Sequence, residues 1–182
     1  MRIVGGTLKG RALKGPSTNA TRPTTDRLRQ ALFNVLAHAY DDAARDARVL
    51  DLFAGTGALG IEALSRGAAF SIFVEDAVEP RALIRANVEA FGLTGVTRIL
   101  RRDATRLGAC APGEACSLVF CDPPYGKGLA ERALASARAG GWLTGDALVV
   151  VEEKADAFAV PEGFTERERR RYDETEFIFL ST

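Results

Sequence analysis

From about residue 48 the chain alternates short apolar runs with segments of helical period. The runs 48–53 (RVLDLF), 70–75 (FSIFVE), 96–100 (VTRIL), 117–121 (SLVFC) and 147–151 (ALVVV) are rich in branched and aromatic residues, the mark of strands covered on both faces. Between them, 57–66, 79–91 and 128–139 read as helices. Strands joined by helical crossovers predict an open, mostly parallel sheet with helices on both faces. The tail differs: 165–172 and 175–180 are strand-like and separated only by Asp173 and Glu174, so they predict an antiparallel hairpin at the sheet edge. That makes seven strands. Ahead of the sheet, Leu28, Leu32, Phe33, Val35 and Leu36 share one helical face, and Arg22-Pro23-Thr24-Thr25-Asp26 reads as the start of that helix. Arg2-Ile3-Val4 and Arg11-Ala12-Leu13 flank GGTLKG, which predicts a short hairpin or arm. We expect a basic N-terminal arm and helix over residues 1–40 and an α/β domain over 41–182.

Composition narrows the class. The 182 residues are 47% apolar, enough for one ordinary domain with a sizeable core. No apolar run approaches the ~18–20 residues of a membrane span, and MRIVGGTLKG lacks a secretory apolar stretch. Cys110, Cys116 and Cys121 fit neither a disulfide framework nor a zinc pattern, so no metal is expected. His38 is the only histidine, which removes any mechanism built on two, and it reads as a helix-end residue. The expectation is a soluble cytoplasmic protein, monomeric by default.

Charge is balanced overall, with 24 Lys+Arg against 24 Asp+Glu, but not locally. Arg2, Lys9, Arg11, Lys14, Arg22, Arg27 and Arg29 stand against a single acid, Asp26, in the first 29 residues. Clustered cations on a neutral protein turn one face toward a polyanion, and nucleic acid is the natural candidate. The run Arg167, Arg169, Arg170 and Arg171 is interrupted by Glu166 and Glu168 and reads as a solvated surface with counter-ions.

Asp51-Leu-Phe-Ala-Gly55-Thr-Gly57-Ala-Leu-Gly60 joins the first strand to a helix, where glycines admit a ligand to the backbone and to the helix N–H groups. The spacing fits a dinucleotide fingerprint, with Glu75 twenty residues after Gly55 to accept ribose hydroxyls. A pyrophosphate would be repelled by Asp51, whereas the amino group and sulfonium of S-adenosylmethionine would be attracted. Charge therefore favours S-adenosylmethionine over NAD. Asp103, after the third strand, either accepts an adenine amino group or caps a helix at 104–109.

Asp122-Pro123-Pro124-Tyr125 follows the fourth strand. Two prolines remove backbone donors and stiffen a turn whose carbonyls remain acceptors. A nucleobase amine is a poor nucleophile because its lone pair is delocalised. Holding one N–H on the Asp122 carboxylate and the other on the Pro123 carbonyl would push the nitrogen toward tetrahedral geometry, and Tyr125 would stack the base once it leaves its own stack. A DNA amino-methyltransferase, an NAD-dependent oxidoreductase using the glycine loop, and a non-catalytic RNA-binding module are the competing readings.

Residues 1–6 (MRIVGG), 21–36 (TRPTTDRLRQALFNVL), 50–67 (LDLFAGTGALGIEALSRG), 73–76 (FVED) and 118–128 (LVFCDPPYGKG) resemble the bacterial 16S rRNA guanine-N2 methyltransferases, and the resemblance runs from Met1 to the YDETEFIFL tail. It implies a class I, Rossmann-like methyltransferase fold, S-adenosylmethionine as donor, and one guanine of 16S rRNA, naked or in the assembling small subunit, as target. It further implies that Asp51, Phe53, Gly55, Gly57, Glu75, Asp103 and Ala104 line the cofactor. Asp122, Pro123 and Tyr125 would hold the amine. Arg2, Arg11, Arg22, Thr24, Arg27 and Pro124 would meet the RNA. Arg102 stands where relatives often have glycine, and its side chain is expected to narrow the adenine pocket or touch RNA. Cys121 replaces an aliphatic residue and should be a buried thiol. Lys127 reads equally as a phosphate contact or a solvated helix start, and Trp142 should pack in the turn before the fifth strand.

Overall fold

The computed structural model describes residues 1–16 and 25–182. Arg22, Pro23 and Thr24, expected at the helix start and, for Arg22 and Thr24, against RNA, lie outside the described residues. In chain order the elements are α1 (Asp26–Ala39), β1 (Arg48–Leu52), α2 (Ala58–Ser65), β2 (Phe70–Val74), α3 (Val78–Ala90), β3 (Thr97–Leu100), β4 (Cys116–Cys121), α4 (Leu129–Ala139), β5 (Leu143–Lys154), β6 (Thr165–Tyr172) and β7 (Thr175–Ser181). One seven-stranded sheet runs in the order β3-β2-β1-β4-β5-β7-β6, parallel through β5, with β7 antiparallel to β5 and β6 antiparallel to β7. This is the α/β architecture that the apolar pattern predicts. The hairpin turns at Asp173 and Glu174, with Asp173 in the left-handed region at φ 55°.

The alternation of strand side chains divides the core. Leu118, Phe120, Leu148, Val150, Phe177 and Phe179 face α1 and α2, packing on Leu32, Phe33, Leu36, Leu59 and Ala63. Their neighbours Val119, Cys121, Val149, Val151, Ile178 and Leu180 face the opposite way, onto Ala130, Ala133, Leu134 and Ala137 of α4. The arm adds a third cluster, in which Ile3 and Leu13 meet Ile61, Phe73, Ile84 and Val88. Helix α1 starts where the sequence predicts, with the Thr25 hydroxyl accepting from Leu28 N–H at 3.2 Å and Asp26 in the first turn. The arm's two segments meet in a single antiparallel bridge, Arg2 to Ala12.

Two boundaries differ from the pattern. The 3₁₀ turn after Asp103 covers only Ala104–Arg106, and β5 runs seven residues beyond the apolar stretch, four before it and three after. The later extension, Glu152-Glu153-Lys154, carries charges that end any hydrophobic run, yet both glutamates are buried. No helix among the described residues is long and apolar enough to cross a membrane.

Connections run from β1 outward to β2 and β3 on one side and to β4 and β5 on the other. The chain order therefore reverses between β1 and β4, and an open α/β sheet forms its ligand crevice outside the strand ends at such a reversal.

Candidate active site at the carboxyl edge of the sheet

Both sequence motifs emerge at this reversal. Asp51 pairs with Phe120 and Leu52 with Cys121 across β1 and β4, and the Asp122 N–H reaches the Leu52 carbonyl at 3.5 Å. The two loops thus leave the sheet side by side.

On the β1 side, Asp51 is 1% exposed and its Oδ2 accepts from the Gly60 N–H at 2.9 Å, in the first turn of α2. Burial pushes this carboxyl up to about 8; the Gly60 bond opposes the rise and the Glu75 charge adds to it. Gly55 and Gly57 hold φ of 58° and 80°, backbone that a side chain would strain, and Phe53 adopts 58° without being glycine. Gly60 serves a different need: a Cβ there would sit 2.4 Å from the Phe73 ring and 2.5 Å from Ser71 Oγ, so its absence lets α2 lie against β2. Glu75, at the end of β2, is half-buried; its Oε2 accepts from Gly55 N–H at 2.9 Å and its Oε1 from Ala77 N–H at 3.0 Å. Each carboxylate oxygen keeps a second lone pair for a ribose hydroxyl. An acid near α2 and a ribose-compatible acid twenty residues after Gly55 suit a cationic nucleoside. With Asp51 pushed up to about 8, a nearby cation favours its ionised carboxylate and an anion opposes it.

Asp103 is exposed, and its Oδ1 accepts from Thr105 N–H at 2.8 Å and Thr105 Oγ1 at 2.7 Å, capping the turn that begins at buried Ala104. These bonds hold its carboxyl below the usual range. Capping is therefore present; a contact to adenine is compatible with it. The Arg102 guanidinium donates to the Leu107 carbonyl at 2.7 Å and lies 5.8 Å from the Trp142 ring centroid. Trp142 is buried and donates to the Gly108 carbonyl at 2.9 Å, so this arginine helps pack the turn before β5.

On the β4 side, buried Cys121 precedes half-buried Asp122, buried Pro123, exposed Pro124 and half-buried Tyr125. Tyr125 is anchored at its far end: its hydroxyl donates to Glu152 Oε1 at 2.9 Å and lies 3.3 Å from Thr175 Oγ1. Burial, and then the Glu152 charge, push the phenol above its ordinary value. Glu153 Oε1 accepts from Gly126 N–H at 3.0 Å and from Lys154 N–H at 2.8 Å. Lys127 is exposed.

The basic segment divides into two kinds of residue. Arg2, Arg11 and Arg27 are exposed. Arg2 donates to the Gly10 carbonyl at 2.8 Å, and Arg11 to the Ala90 carbonyl at 2.7 Å while covering the Phe91 ring. Arg29 corrects the even reading of that cation run. It is fully buried, donates to the Arg2 carbonyl and pairs with Asp26 at 2.8 Å and with Glu62 at 3.3 Å. Glu62, also buried, accepts Val4 and Gly5 N–H at 3.0 and 2.8 Å and Arg66 Nε at 2.9 Å. This carboxylate ties arm, α1 and α2 together. The C-terminal arginines pair as expected, Arg169 with Glu166 and Glu176, Arg170 with Glu168, and Arg171 with Asp156. The three cysteines are free, and no metal-ligand cluster occurs among the described residues.

Sequence reasoning missed five side chains that shape the site: Glu62, Asn87, Glu152, Glu153 and Thr175. Asn87 is buried in α3, accepts from Lys14 N–H at 2.8 Å and donates to the carbonyls of Lys14 at 3.1 Å and Thr56 at 3.0 Å, clamping the arm to the glycine loop. A polar residue on the apolar face of a helix is the signal that could have found Glu62 and Asn87.

Comparison with known proteins gives the family. The family model described as "Conserved hypothetical protein 95" matches residues 1–181. Ribosomal RNA small subunit methyltransferase D of Escherichia coli is 40% identical over 159 residues, 86% of this chain and 76% of that protein. The protein of the same name from Haemophilus influenzae is 32% identical over 91% of this chain and 85% of its own length. The solved structure of yhhF from Escherichia coli superposes with a TM-score of 0.83 at 33% identity, covering 100% of this chain and 97% of that one. The chain belongs to the family of the ribosomal RNA small subunit methyltransferases D, whose family description is Conserved hypothetical protein 95.

Proposed function

We propose that this protein transfers a methyl group from S-adenosylmethionine to the exocyclic N2 amine of one guanine in 16S rRNA. The observation that carries the reading is the emergence of the glycine loop and the Asp122-Pro123-Pro124-Tyr125 loop side by side at the chain reversal. The rRNA substrate follows the names of the relatives, and the guanine amine follows the resemblance read in the sequence.

Asp51, Phe53, Gly55, Gly57, Glu75, Asp103 and Ala104 would hold the cofactor, with Asp51 toward its cationic end and Glu75 toward the ribose. Bound there, S-adenosylmethionine supplies a methyl group on a sulfonium, whose carbon–sulfur electron pair returns to sulfur on transfer. The Asp122 carboxylate and the Pro123 carbonyl accept the two amine hydrogens and direct the nitrogen lone pair along the line of attack. Tyr125 and Pro124 support the flipped base, and the surplus amine proton leaves through Asp122 to water. This is catalysis by positioning and electrostatics. Arg2, Arg11, Arg22, Thr24 and Arg27 would contact the RNA, whose phosphates supply affinity while the base pocket supplies identity.

The test is tritiated methyl transfer to 16S rRNA, to 30S particles and to DNA, with Asp122→Ala beside the unaltered protein. The variant should lose transfer by at least about 10³-fold while binding S-adenosylhomocysteine within a few-fold. Normal turnover of that variant, or faster methylation of DNA than of either RNA substrate, would overturn the proposal.

A further inference from the structure

We infer that Glu152 is a positioning residue for methyl transfer: through the Tyr125 hydroxyl it sets the ring on which the target base stacks. The inference rests on the proposed role of the Asp122–Tyr125 loop and deepens it.

Glu152 and Glu153 are consecutive residues of β5, 4% and 2% exposed, and each reaches a successive residue of the neighbouring loop. Glu152 takes the Tyr125 phenol at 2.9 Å, and Glu153 takes the Gly126 amide at 3.0 Å. Strand β7 completes the seat: Thr175, 2% exposed, lies opposite Lys154 in the register and brings its hydroxyl to 3.3 Å from the phenol. Burying a carboxylate is unfavourable unless it is well bonded, so packing alone would be served as well by a phenylalanine at 125 and an apolar residue at 152. A hydrogen bond at the far end of the ring does what packing does less well: it pins the tip of the tyrosine and with it the first side-chain torsion, and because a phenol hydrogen prefers the plane of its ring it favours the ring planes that contain the Glu152 oxygen.

The second consequence is electronic. A phenol that donates to a carboxylate gains electron density in its ring, and the face of an aromatic ring attracts positive charge. Positive charge grows on the base as its amine nitrogen takes the methyl group. The Tyr125–Glu152 pair then stabilises the transition state more than the bound ground state, so its loss falls on kcat and not on RNA affinity. The elevated phenol titration keeps the donor protonated throughout the working pH range.

The experiment is steady-state methyl transfer by the full chain on the RNA substrate that the unaltered protein methylates, with Tyr125→Phe, Glu152→Ala, Glu152→Gln and the double variant Tyr125→Phe/Glu152→Ala. Tyr125→Phe and Glu152→Ala should each lower kcat about tenfold, with KM for RNA and affinity for S-adenosylhomocysteine within about twofold. The double variant should be no slower than either single one, since both remove the same bond. Glu152→Gln, which keeps an acceptor oxygen but not the charge, should run faster than Glu152→Ala and slower than the unaltered protein; a rate no better than that of Glu152→Ala would overturn the positioning role. Unchanged kcat in Tyr125→Phe, or additive losses in the double variant, would overturn the inference. Should Glu152→Ala fail to fold, Tyr125→Phe and Glu152→Gln still decide. Asp122→Ala in the same assay separates the two levels: if it stays active the loop assignment fails, whereas its inactivity beside a fully active Tyr125→Phe removes only the role of Glu152.

Discussion

The glycine loop after β1 and the Asp122–Tyr125 loop after β4 are both strand-end turns braced by carboxylates from a neighbouring strand, yet they are braced for different work. Glu75 of the β2 end holds Gly55, and Glu153 of β5 holds Gly126. The first loop places Phe53, Gly55 and Gly57 in left-handed backbone above a buried acid poised near neutral titration. The second uses two prolines and an anchored phenol. Under the proposed function, one would accommodate a ligand whose charge must be met, and the other would fix a direction of attack. The contrast suits a methyl donor recognised by charge and an amine activated by geometry.

The sharpest way to break the comparison is the same substitution on both sides, at Gly60 in the first turn of the helix after the glycine loop and at Gly126 in the second loop. Gly60→Ala would place a methyl within 2.4 Å of the Phe73 ring. Overpacking of that kind costs about 1–3 kcal/mol, more than the gain of up to ~1 kcal/mol from a better helix former. Because Gly60 also donates to Asp51, α2 should shift and S-adenosylhomocysteine binding should fall by at least about tenfold. Gly126→Ala meets nothing within 4 Å and carries only the strain of φ 71°, about 1–2 kcal/mol. Its cofactor affinity should be unchanged. Chemical denaturation and calorimetric titration of the two variants check this, and equal losses of ligand affinity would erase the distinction.

The same contrast explains what the sequence disclosed. Asp51, Gly55, Gly57 and Glu75 sit in one contiguous strand–loop–helix–strand unit, so their spacing already encodes their geometry. Asp122 to Tyr125 are legible for the same reason. The braces beneath the second loop are not. Glu152 follows Val151 at the end of an apolar run and looks like a solvated strand end, because the partner that justifies its burial is Tyr125, 27 residues earlier and on another element. Arg29 and Glu62 are 33 residues apart, and neither position alone distinguishes a buried pair from two surface charges. Hydrophobic periodicity reports which positions leave water. It does not report polar groups that leave water together, and these set the true length of β5 and the seat of the arm.

Asp51→Asn sharpens the comparison on the cofactor side. An acid whose folded titration lies above its unfolded value stabilises the fold below the unfolded value, near 4, and loses that contribution as pH rises toward 8. At pH 7.5 the native carboxyl is therefore a net burden. The amide can still accept from Gly60 without ionising. The variant should gain on the order of 1–2 kcal/mol at pH 7.5, raising Tm by several degrees, and the gain should shrink at pH 5. Thermal unfolding across that range reads it. A variant less stable than the unaltered protein at pH 7.5 would mean that the carboxylate is already compensated in the free protein.

Ligand binding should show the smaller counterpart of this effect. If Asp51 meets the amino group of the cofactor, binding draws the proton from a carboxyl that titrates near 8 in the free protein. Affinity for S-adenosylhomocysteine should then rise about tenfold between pH 6.5 and 8, with a proton released per ligand bound at the lower end. Titration calorimetry in buffers of different ionisation enthalpy measures both. Asp51→Asn should bind more weakly at pH 8 and show neither the slope nor the proton. A flat profile in the unaltered protein would place the amino group on another residue and leave Asp51 as a brace for α2, like Glu153 beneath the second loop; the two loops would then differ in backbone alone.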